Sequence, residues 1–498
     1  MGSLTSTSSG CDLSAATEAS TAQPADIAII GGGAGGLAVL KAVLDSPQYK
    51  SGLWKPTLYE AREEIGGIWL PAPPKDNPPL TPLYDSLTTN LPHPCMCFTS
   101  LQFKPETPLY PPASAVLDYL KTFAAHFSLT PHIRFHTAVA RAERDEANER
   151  WRLTLENGET ASADLLVVAN GHYRRPRYPA VPGVDEWLKS GRAQHSAWYR
   201  RPHDLGKKIL VVGGGPSGRD IAEDMRTVAE LIVHSGEDVP ASKERIVGRP
   251  RVVAFEPDGV VRFSDGSVER DIDHCVLATG YEMWFPFLPE EVLHAGDPPS
   301  HSTLPGSLYN STHHVFPLAR HIWPLQDQYP PHTLAFIGLP LKIVPYPATE
   351  AQARAVLAAF ADPSILDLKA ESDAVLERAQ RLGDKPQRYH VFEGHEQFRY
   401  RDALFQLAAK TSVPVAGPGS IADGGAYTVT DWEKELYDNK DVLRTLWVEI
   451  ERRGAAEEWL KGVGENGVED WLAMTRKMLT EAGKRDLVQG EVDGGSKN

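Results

Sequence analysis

The chain has 498 residues, of which 41% are hydrophobic, and a formal net charge of −15. This length allows two to four domains with large cores, and the negative charge argues against a nucleic-acid partner. No apolar run approaches the roughly 18 residues of a membrane span, so we expect none. Four cysteines in so long a chain do not form a disulfide framework, which favours a reducing, cytoplasmic location.

The N-terminal segment, residues 1–23, is rich in Ser, Thr and Ala and contains no Lys or Arg. It also has no apolar core, so it is typical neither of a signal peptide nor of an Arg-rich transit peptide. We predict a disordered tail.

A strand, a tight turn and a helix are predicted next. The apolar run 27–30 leads into a G-x-G-x-x-G turn at residues 31–36. Glycine is needed there because a side chain would hold the backbone away from a pyrophosphate, whose charge is met by N–H groups at the helix N-terminus. The strand 56–59 then ends at Glu60, near the usual spacing for a carboxylate that accepts ribose hydroxyls. A surface glutamate at a strand end is the alternative.

A second G-x-G-x-x-G turn follows at residues 213–218, after the apolar run 209–212. The next strand, 231–233, continues into Ser235 and Gly236 with no acid at its tip. A site without that carboxylate accepts the 2′-phosphate of NADPH more easily. The first turn therefore suits FAD and the second NADPH, an arrangement in which a nicotinamide can pass a hydride to a flavin.

Two similar segments, 164–172 and 273–281, bracket the second glycine turn. Each has an acid, an apolar strand and a small-polar-Gly turn before a ring-bearing residue. We predict that the chain leaves one domain near the first segment and returns near the second, so that the two crossings act as a double hinge. Two unrelated buried strands that end in glycine turns are the alternative.

The predicted fold class is α/β, with two Rossmann-like dinucleotide-binding domains and the NADPH domain inserted into a larger FAD domain. The predicted FAD domain comprises residues 24–172 and 281–498, the second part ending in C-terminal helices, and the NADPH domain comprises residues 173–280. Proline crowds residues 71–112, which predicts an irregular covering segment. Helical periodicity near residues 459–472 predicts helices packed on the core.

An ordered set of motifs resembles the flavin-containing monooxygenases, the class B flavoprotein monooxygenases of the N- or S-oxygenating type. Residues 191–200 are similar to the family fingerprint F-x-G-x-x-x-H-x-x-x-[YF], although Lys189 replaces its leading aromatic residue. The family's A-T-G-Y segment matches residues 278–281. The other matches are Gly66-Gly67-Ile68-Trp69, Tyr84-x-x-Leu87-x-Thr89-Asn90, Phe336-Ile337-Gly338 and Glu350-x-Gln352-Ala353.

The resemblance implies that NADPH reduces FAD, that NADP⁺ stays bound, and that a flavin hydroperoxide transfers one oxygen atom to a soft nucleophile. That nucleophile is an amine or hydroxylamine nitrogen, or a sulfur, of a small molecule. The expected cofactors are FAD and NADPH, the partners are the substrate and dioxygen, and a homodimer is a candidate assembly. Because the cofactor performs the bond chemistry, the lack of a prominent Ser/His/Asp or paired-carboxylate constellation is expected.

The resemblance also implies the site residues. In the family, the asparagine that matches Asn90 lies beside the flavin and NADP⁺, so we predict Asn90 as the catalytic residue; an Asx-turn residue before Pro92 is the alternative. The predicted cofactor-binding residues are Gly31, Gly33, Ala34, Gly35, Gly36, Glu60, Arg62, Gly67, Ile68, Trp69, Thr89, Asn90, Val139, Gln352, Arg200, Gly213, Gly215, Pro216, Ser217, Gly218, Ser235, Thr279 and Gly280.

Metal binding is not predicted. Cys95-x-Cys97 has no second cysteine pair to complete a zinc site. The histidines at 313, 314 and 321 lack ligand spacing on a defined element, so we interpret them as ordinary surface or pocket residues.

One departure concerns the nicotinamide. The family usually places an arginine after the second strand of the NADPH domain, near the position where this chain has Gly236. Ser235, Arg200, Lys243 or Arg245 could substitute, because a phosphate needs donors and charge rather than one fixed residue. NADPH therefore stays the expected cofactor over NADH.

Three other classes of protein are alternatives. A Baeyer–Villiger monooxygenase carries Trp four residues after the fingerprint histidine, where this chain has Tyr199. A pyridine-nucleotide disulfide oxidoreductase needs a cysteine pair soon after the first turn, and residues 37–94 contain no cysteine. A catalytically silent flavoprotein, acting as a redox sensor or binding module, is the third alternative.

Overall fold

The structure is a computed structural model that describes residues 24–145, 147–237, 239, 242–411 and 428–494, the last eleven of these in backbone only. The predicted tail, residues 1–23, lies outside the described residues.

The described strands lie between residues 25 and 336, in groups separated by helices in the first part and in one long run from residue 231 onward. In chain order they are β1 (Ala25–Ile30), β2 (Trp54–Tyr59), β3 (Ile133–Arg134), β4 (Val139–Asp145), β5 (Arg150–Leu155), β6 (Thr160–Ala163), β7 (Leu165–Val168), β8 (Arg175–Pro176), β9 (Ala193–His195), β10 (Lys208–Val212), β11 (Leu231–Ser235), β12 (Ile246–Arg249), β13 (Val252–Glu256), β14 (Val260–Phe263), β15 (Val268–Glu269), β16 (His274–Leu277), β17 (Tyr281–Glu282), β18 (His294–Ala295), β19 (Tyr309–Asn310), β20 (Val315–Phe316), β21 (Leu318–Ala319), β22 (Trp323–Pro324) and β23 (Leu334–Phe336).

The α-helices become longer and more frequent toward the C-terminus. They are α1 (Ala34–Asp45), α2 (Pro47–Lys50), α3 (His93–Met96), α4 (Ala113–His126), α5 (Val184–Lys189), α6 (Pro216–Met225), α7 (Pro345–Ala361), α8 (Leu368–Leu382), α9 (Glu396–Ala408), α10 (Asp431–Asp438), α11 (Lys440–Arg452), α12 (Ala456–Leu460) and α13 (Val468–Gly494).

The first sheet carries the first glycine turn. Its strands are parallel and lie in the order β23, β7, β1, β2, β3. β1, β2 and β7 end level with one another at Ile30, Tyr59 and Val168. Because parallel strands present their carboxyl ends at one edge, the glycine turn and Glu60 lie side by side at that edge.

The second sheet repeats this arrangement. Its parallel strands lie in the order β12, β11, β10, β16, β9. β10, β11 and β16 end level at Val212, Ser235 and Leu277. Gly236 therefore occupies, in the second unit, the position that Glu60 occupies in the first.

The second sheet is inserted into the first along the chain. β7 belongs to the first sheet, β9 to β12 and β16 build the second, and β23 returns to the first. This confirms the predicted fold class of two Rossmann-like units, one inserted into the other. The two crossings run side by side, since β8 and β17 pair antiparallel and the Arg177 N–H donates to the Gly280 carbonyl at 2.9 Å. Whether they act as a double hinge stays a prediction.

A single hydrophobic cluster joins the first sheet to the C-terminal helices. α7 is rich in alanine and almost wholly buried, which allows it to pack closely against α1 and α9. Trp447 of α11 and Trp471 of α13 are buried in the same cluster as Val39 of α1. Within the described residues, every helix is too short or too polar to cross a membrane.

A buried ion pair ties α9 to α10. The side chain of Arg401 is fully buried, and its Nη2 lies 2.7 Å from Oε1 of Glu433, itself 4% exposed. We expect Arg401→Met to lower the free energy of unfolding by about 3–5 kcal/mol, because it leaves a buried carboxylate without its cation. Urea denaturation monitored by circular dichroism measures this loss.

The matched control is Arg476→Met on α13. Arg476 also binds a glutamate, Glu435, but its side chain is 55% exposed. An exposed pair contributes about 0–1 kcal/mol, so this variant should unfold close to the wild type. Equal losses in the two variants would contradict the special role of the buried pair.

Candidate active site

The first glycine turn is closed by contacts that only glycine permits. Gly31 has φ +109°, and a Cβ there would lie 2.6 Å from the Ala169 carbonyl oxygen. A Cβ on Gly36 would lie 1.9 Å from the Gly31 carbonyl oxygen, and one on Gly35 would lie 3.1 Å from Ile337. α1 starts at Ala34 with no side-chain cap, so its first N–H groups are available to an anion.

The loop 66–69 packs directly on this turn. The Gly66 N–H donates to the Gly32 carbonyl at 3.0 Å. A Cβ on Gly67, whose φ is +55°, would lie 3.0 Å from the Gly33 Cα. The loop continues as a short 3₁₀ turn through Ile68 and Trp69. Two glycine-lined backbones thus meet at the N-terminus of α1.

Glu60 lies beside the turn, as its strand-end position predicts. The residue is 7% exposed, and its carboxylate accepts from the Gly32 N–H at 2.6 Å and from the Arg62 N–H at 2.8 Å. Arg62 in turn donates to the carbonyls of Leu70 and Pro71. In the structure, Arg62 therefore holds the end of the loop 66–69 in place.

Three other predicted residues contact neighbouring parts of the chain. Thr89 is buried and its hydroxyl donates to the Leu91 carbonyl. Val139 opens β4, two residues after Thr137, whose N–H donates to the Glu60 carbonyl. Gln352 is fully buried; its amide accepts from the Gly338 N–H and donates to the Tyr400 hydroxyl. The Gln352 side chain therefore braces the turn at Gly338.

Asn90 is exposed. Among the described residues its side chain has no hydrogen-bond partner, so the amide is available to a ligand. The Asx-turn alternative is wrong, because such a turn needs the N–H of residue 92 and Pro92 has none.

The second glycine turn repeats the first. Gly213 has φ +129°, and a Cβ there would lie 2.1 Å from the Ala278 carbonyl oxygen. A Cβ on Gly218 would lie 1.9 Å from the Gly213 carbonyl oxygen, whereas none of the described atoms lies within 4 Å of one on Gly215. α6 begins at Pro216 and Ser217 and has no side-chain cap. This turn therefore has the same open cradle for a pyrophosphate.

His195 of the fingerprint holds the returning crossing. Its Nδ1 accepts from the Ala197 N–H at 3.1 Å, so Nε2 carries the proton and donates to the Gly280 carbonyl at 3.1 Å. Burial lowers the pKa of His195 to about 4, which keeps the ring neutral. The hydroxyl of Thr279, the residue before Gly280, donates a hydrogen bond to the Arg177 carbonyl. His195 and Thr279 thus fix both crossings.

A single threonine bridges the two units. The Thr81 hydroxyl donates to the Ile68 carbonyl of the loop 66–69. The Thr81 carbonyl accepts from Arg200 Nη2 at 2.9 Å, and Arg200 is the residue after the fingerprint tyrosine. The segment that carries Thr89 and Asn90 therefore touches both nucleotide-binding units.

The predicted substitutes for a phosphate-binding arginine are engaged elsewhere. Ser235 is fully buried and its hydroxyl donates to the Pro250 carbonyl at 2.6 Å; its contact with a phosphate stays a prediction. Arg200 donates to four carbonyls, of Ala72, Thr81, Ala197 and Tyr199. Lys243 pairs with Glu223, and Arg245 donates to the Arg226 carbonyl.

Sequence reasoning missed a polar junction beside α6. The Tyr84 hydroxyl donates to Asp220 at 2.7 Å, and Arg444 of α11 donates to the same carboxylate at 3.2 Å. Ser86 and Tyr199 donate to Asp224, one turn further along α6. Three of these four contacts join residues more than a hundred positions apart and the fourth spans 25 positions, so no local pattern could reveal the junction.

The cysteines and histidines for which no metal site is predicted are mostly buried. Cys95 and Cys97 are buried, and burial raises the pKa of the Cys97 thiol to about 12. Within the described part of the chain, no group of His, Cys, Asp or Glu side chains could hold a metal ion. The surface interpretation is wrong for His314 and His321, which are 1% and 6% exposed.

Buried neutral histidines make stability depend on pH. Burial lowers the pKa of His93 to about 3, well below the 6.5 of an unfolded chain. As the pH falls from 6.5 toward 3, the unfolded state takes up a proton that the folded state excludes, so stability decreases. We expect a loss of about 2 kcal/mol at pH 5 from His93, measured by urea unfolding between pH 8 and pH 5. The other buried histidines with a lowered pKa are His195, His234, His274, His314, His321 and His390.

His93→Phe isolates one histidine's share. The His93 ring already packs between the rings of Phe103 and Trp471, at 5.0 and 4.3 Å between centroids, so an aromatic ring suits the position. This variant should lose less stability on acidification than the wild type. The same change at the exposed His126 should leave the pH dependence unaltered, and an unaltered profile for His93→Phe would contradict the prediction.

Two Rossmann-like units with open glycine turns, joined by a fingerprint segment, define a flavoprotein oxidoreductase with two dinucleotide sites. The family described as flavin-binding monooxygenase-like matches residues 25–247 and 238–413, and this chain belongs to it. The protein is a flavin monooxygenase that uses FAD and NADPH, as the sequence motifs predict.

Named relatives agree. The chain is 32% identical over 366 residues to flavin-containing monooxygenase FMO GS-OX-like 7 of Arabidopsis thaliana, covering 67% of this chain and 73% of that protein. It is 30% identical over 352 residues to the thiol-specific monooxygenase of Saccharomyces cerevisiae, covering 67% and 76%. The S-allyl-L-cysteine S-oxygenase of Allium sativum shares the fold, with a TM-score of 0.68, 24% identity and coverage of 92% and 99%.

Proposed function

We propose that this monooxygenase adds one oxygen atom to sulfur, in a thioether or thiol of a small molecule, in preference to an amine or hydroxylamine nitrogen. The main observation in support of oxygen transfer is the Thr81 bridge. Thr81 joins the loop 66–69 to Arg200 and so brings the two nucleotide-binding units together at the segment with Asn90. The choice of sulfur is supported by the thiol-specific relative.

The two glycine turns fit the two cofactors. We assign residues 24–172 and 281–498 to the FAD domain and residues 173–280 to the NADPH domain. In this assignment the turn 31–36, Glu60 and the loop 66–69 hold FAD, with Arg62, Val139 and Gln352 beside them. The turn 213–218 holds the NADPH pyrophosphate, next to the crossing at Thr279 and Gly280. The open positions at the two helix N-termini support this fit.

FAD, when bound, supplies the redox and oxygen-transfer chemistry. The protein's own residues bind and orient the cofactors and the substrate, and they exclude water from the site. Asn90 is assigned to hold its amide toward the reacting oxygen, which its exposure and lack of a partner among the described residues support. His195 is a positioning residue, since it acts through the Gly280 carbonyl.

The test follows NADPH and oxygen consumption against hydrogen peroxide release for thioethers, thiols, amines, hydroxylamines and ketones. A sulfur compound should raise consumption while suppressing peroxide and should gain one oxygen atom. The choice of sulfur would be wrong if an amine raised consumption and suppressed peroxide while no sulfur compound did. Ester formation from a ketone would favour the Baeyer–Villiger alternative, and bound FAD without NADPH-dependent oxygen uptake would favour a silent flavoprotein.

A homodimer and a cytoplasmic location are part of the same proposal. Size-exclusion chromatography with light scattering tests the first, and a monomer at micromolar concentration would contradict it. Cell fractionation tests the second.

A further inference from the structure

The end of β11 lacks the cation that a 2′-phosphate needs. Gly236 follows the strand, at the position that Glu60 has in the first unit. A Cβ there would lie 2.8 Å from the Gly214 nitrogen, so no arginine fits without moving the glycine turn. Recognition of the 2′ position must therefore come from a neighbouring element.

A depression of about 540 Å³ lies next to Gly236. The loop after β11 and the ends of β12 form most of its lining, which includes Glu237, Ser242, Arg249 and Arg251. None of the four substitutes predicted from the sequence lines it. Arg249 is held away, because its Nε and Nη2 both donate to Glu269.

Arg251 is the cation left to face this depression. Its Nη2 lies 2.9 Å from Oε1 of Glu237, and both side chains are 68% exposed. An exposed ion pair is weak, so it opens at small cost. A guanidinium binds a phosphate through two parallel hydrogen bonds, and a dianionic phosphate attracts it more strongly than one carboxylate does.

Glu237 favours a dinucleotide without the 2′-phosphate. A carboxylate beside the adenosine ribose accepts a hydroxyl and repels a phosphate. The two side chains therefore favour different dinucleotides: Arg251 favours the 2′-phosphate, and Glu237 favours the free 2′-hydroxyl.

We propose that Glu237 and Arg251 are the specificity-determining pair for the 2′ position of the dinucleotide held by the second glycine turn. Arg251 separates from Glu237 and binds the 2′-phosphate of NADPH. Glu237 reduces the preference of the site for NADPH over NADH. The proposal rests on the assignment of the second turn to the nicotinamide dinucleotide.

The test is isothermal titration of the FAD-loaded enzyme with 2′,5′-ADP and with 5′-AMP, which differ at the 2′ position. Arg251→Gln should weaken 2′,5′-ADP binding about 10- to 100-fold, as expected for a lost charged hydrogen bond, and leave 5′-AMP binding unchanged. Glu237→Gln should strengthen 2′,5′-ADP binding and weaken 5′-AMP binding. Arg262→Gln is the matched control, because Arg262 also pairs with an exposed glutamate, Glu256, on another sheet.

Three results would overturn the pair. The first is that Arg251→Gln binds 2′,5′-ADP as tightly as the wild type, and the second is that it loses the same affinity for both nucleotides. The third is that the affinity for 2′,5′-ADP falls selectively in Arg219→Gln, which removes an exposed cation of α6, and does not fall in Arg251→Gln. Binding of neither nucleotide by the wild type would overturn the pair together with the assignment of the second turn. Normal discrimination without any oxygenated product would overturn the proposed function alone.

Discussion

Replacing Gly36 with valine should leave the enzyme almost without FAD. A Cβ at this position would lie 1.9 Å from the Gly31 carbonyl oxygen, so the turn and the N-terminus of α1 would have to separate. Such overpacking costs about 1–3 kcal/mol, and here the cost falls on the turn assigned to the flavin pyrophosphate. The measurement is the FAD-to-protein ratio of the purified variant, from its visible and ultraviolet absorbance.

Gly218→Val is the matched variant in the second turn. A Cβ there would lie 1.9 Å from the Gly213 carbonyl oxygen, so the local damage is the same. This variant should keep its FAD but lose reduction of the flavin by NADPH, followed by stopped-flow absorbance under anaerobic conditions. In Gly306→Val a Cβ would meet none of the described atoms within 4 Å. This control variant should keep both its FAD and the reduction of the flavin by NADPH.

The pair of variants separates the roles of the two turns. Loss of FAD in Gly218→Val with retention in Gly36→Val would reverse the assignment. Circular dichroism and the thermal midpoint show whether each variant is folded, so a general loss of structure is recognised as such.

Asn90→Ala should uncouple NADPH oxidation from oxygen transfer. Flavin reduction does not need the amide, so NADPH consumption should stay close to that of the wild type. A hydrogen bond to a charged group contributes about 1.5–3 kcal/mol, so the ratio of oxygenated product to hydrogen peroxide should fall about 10- to 100-fold. The measurement is product, peroxide and NADPH in the same reaction.

Two further variants sharpen this test. Asn90→Asp keeps the size of the side chain but replaces the donor with an acceptor, and it should uncouple the enzyme as well. Asn157→Ala changes an exposed asparagine in a hairpin turn and should remain coupled. Full coupling in Asn90→Ala would remove Asn90 from the catalytic site.

The parts of the site that could be predicted are local in the chain. The turns 31–36 and 213–218 follow from a strand, closely spaced glycines and a helix, all within about ten residues. Glu60 was predictable because it ends the next strand, and parallel strands bring their carboxyl ends to one edge. The register of β1 with β2 puts it there.

The parts that could not be predicted depend on which side chains meet across the fold. Ser235 was a reasonable phosphate ligand from its position, yet its hydroxyl donates to the carbonyl of Pro250, which directly follows β12. Gln352 matches the family motif, but its amide binds Gly338 and Tyr400. Hydrogen-bond partners of this kind are chosen by packing, which a linear pattern does not encode.

The sequence by itself determined the fold class, the two dinucleotide turns and the family, because each of these rests on short runs of residues whose backbone geometry is specified locally. Only the tertiary structure decided how the two units are joined and which cation faces the depression beside Gly236. Thr81 bridges them, and Arg251 faces the depression beside Gly236. Both depend on tertiary packing, since strands and loops that are separate in the chain become neighbours only when the sheets are assembled.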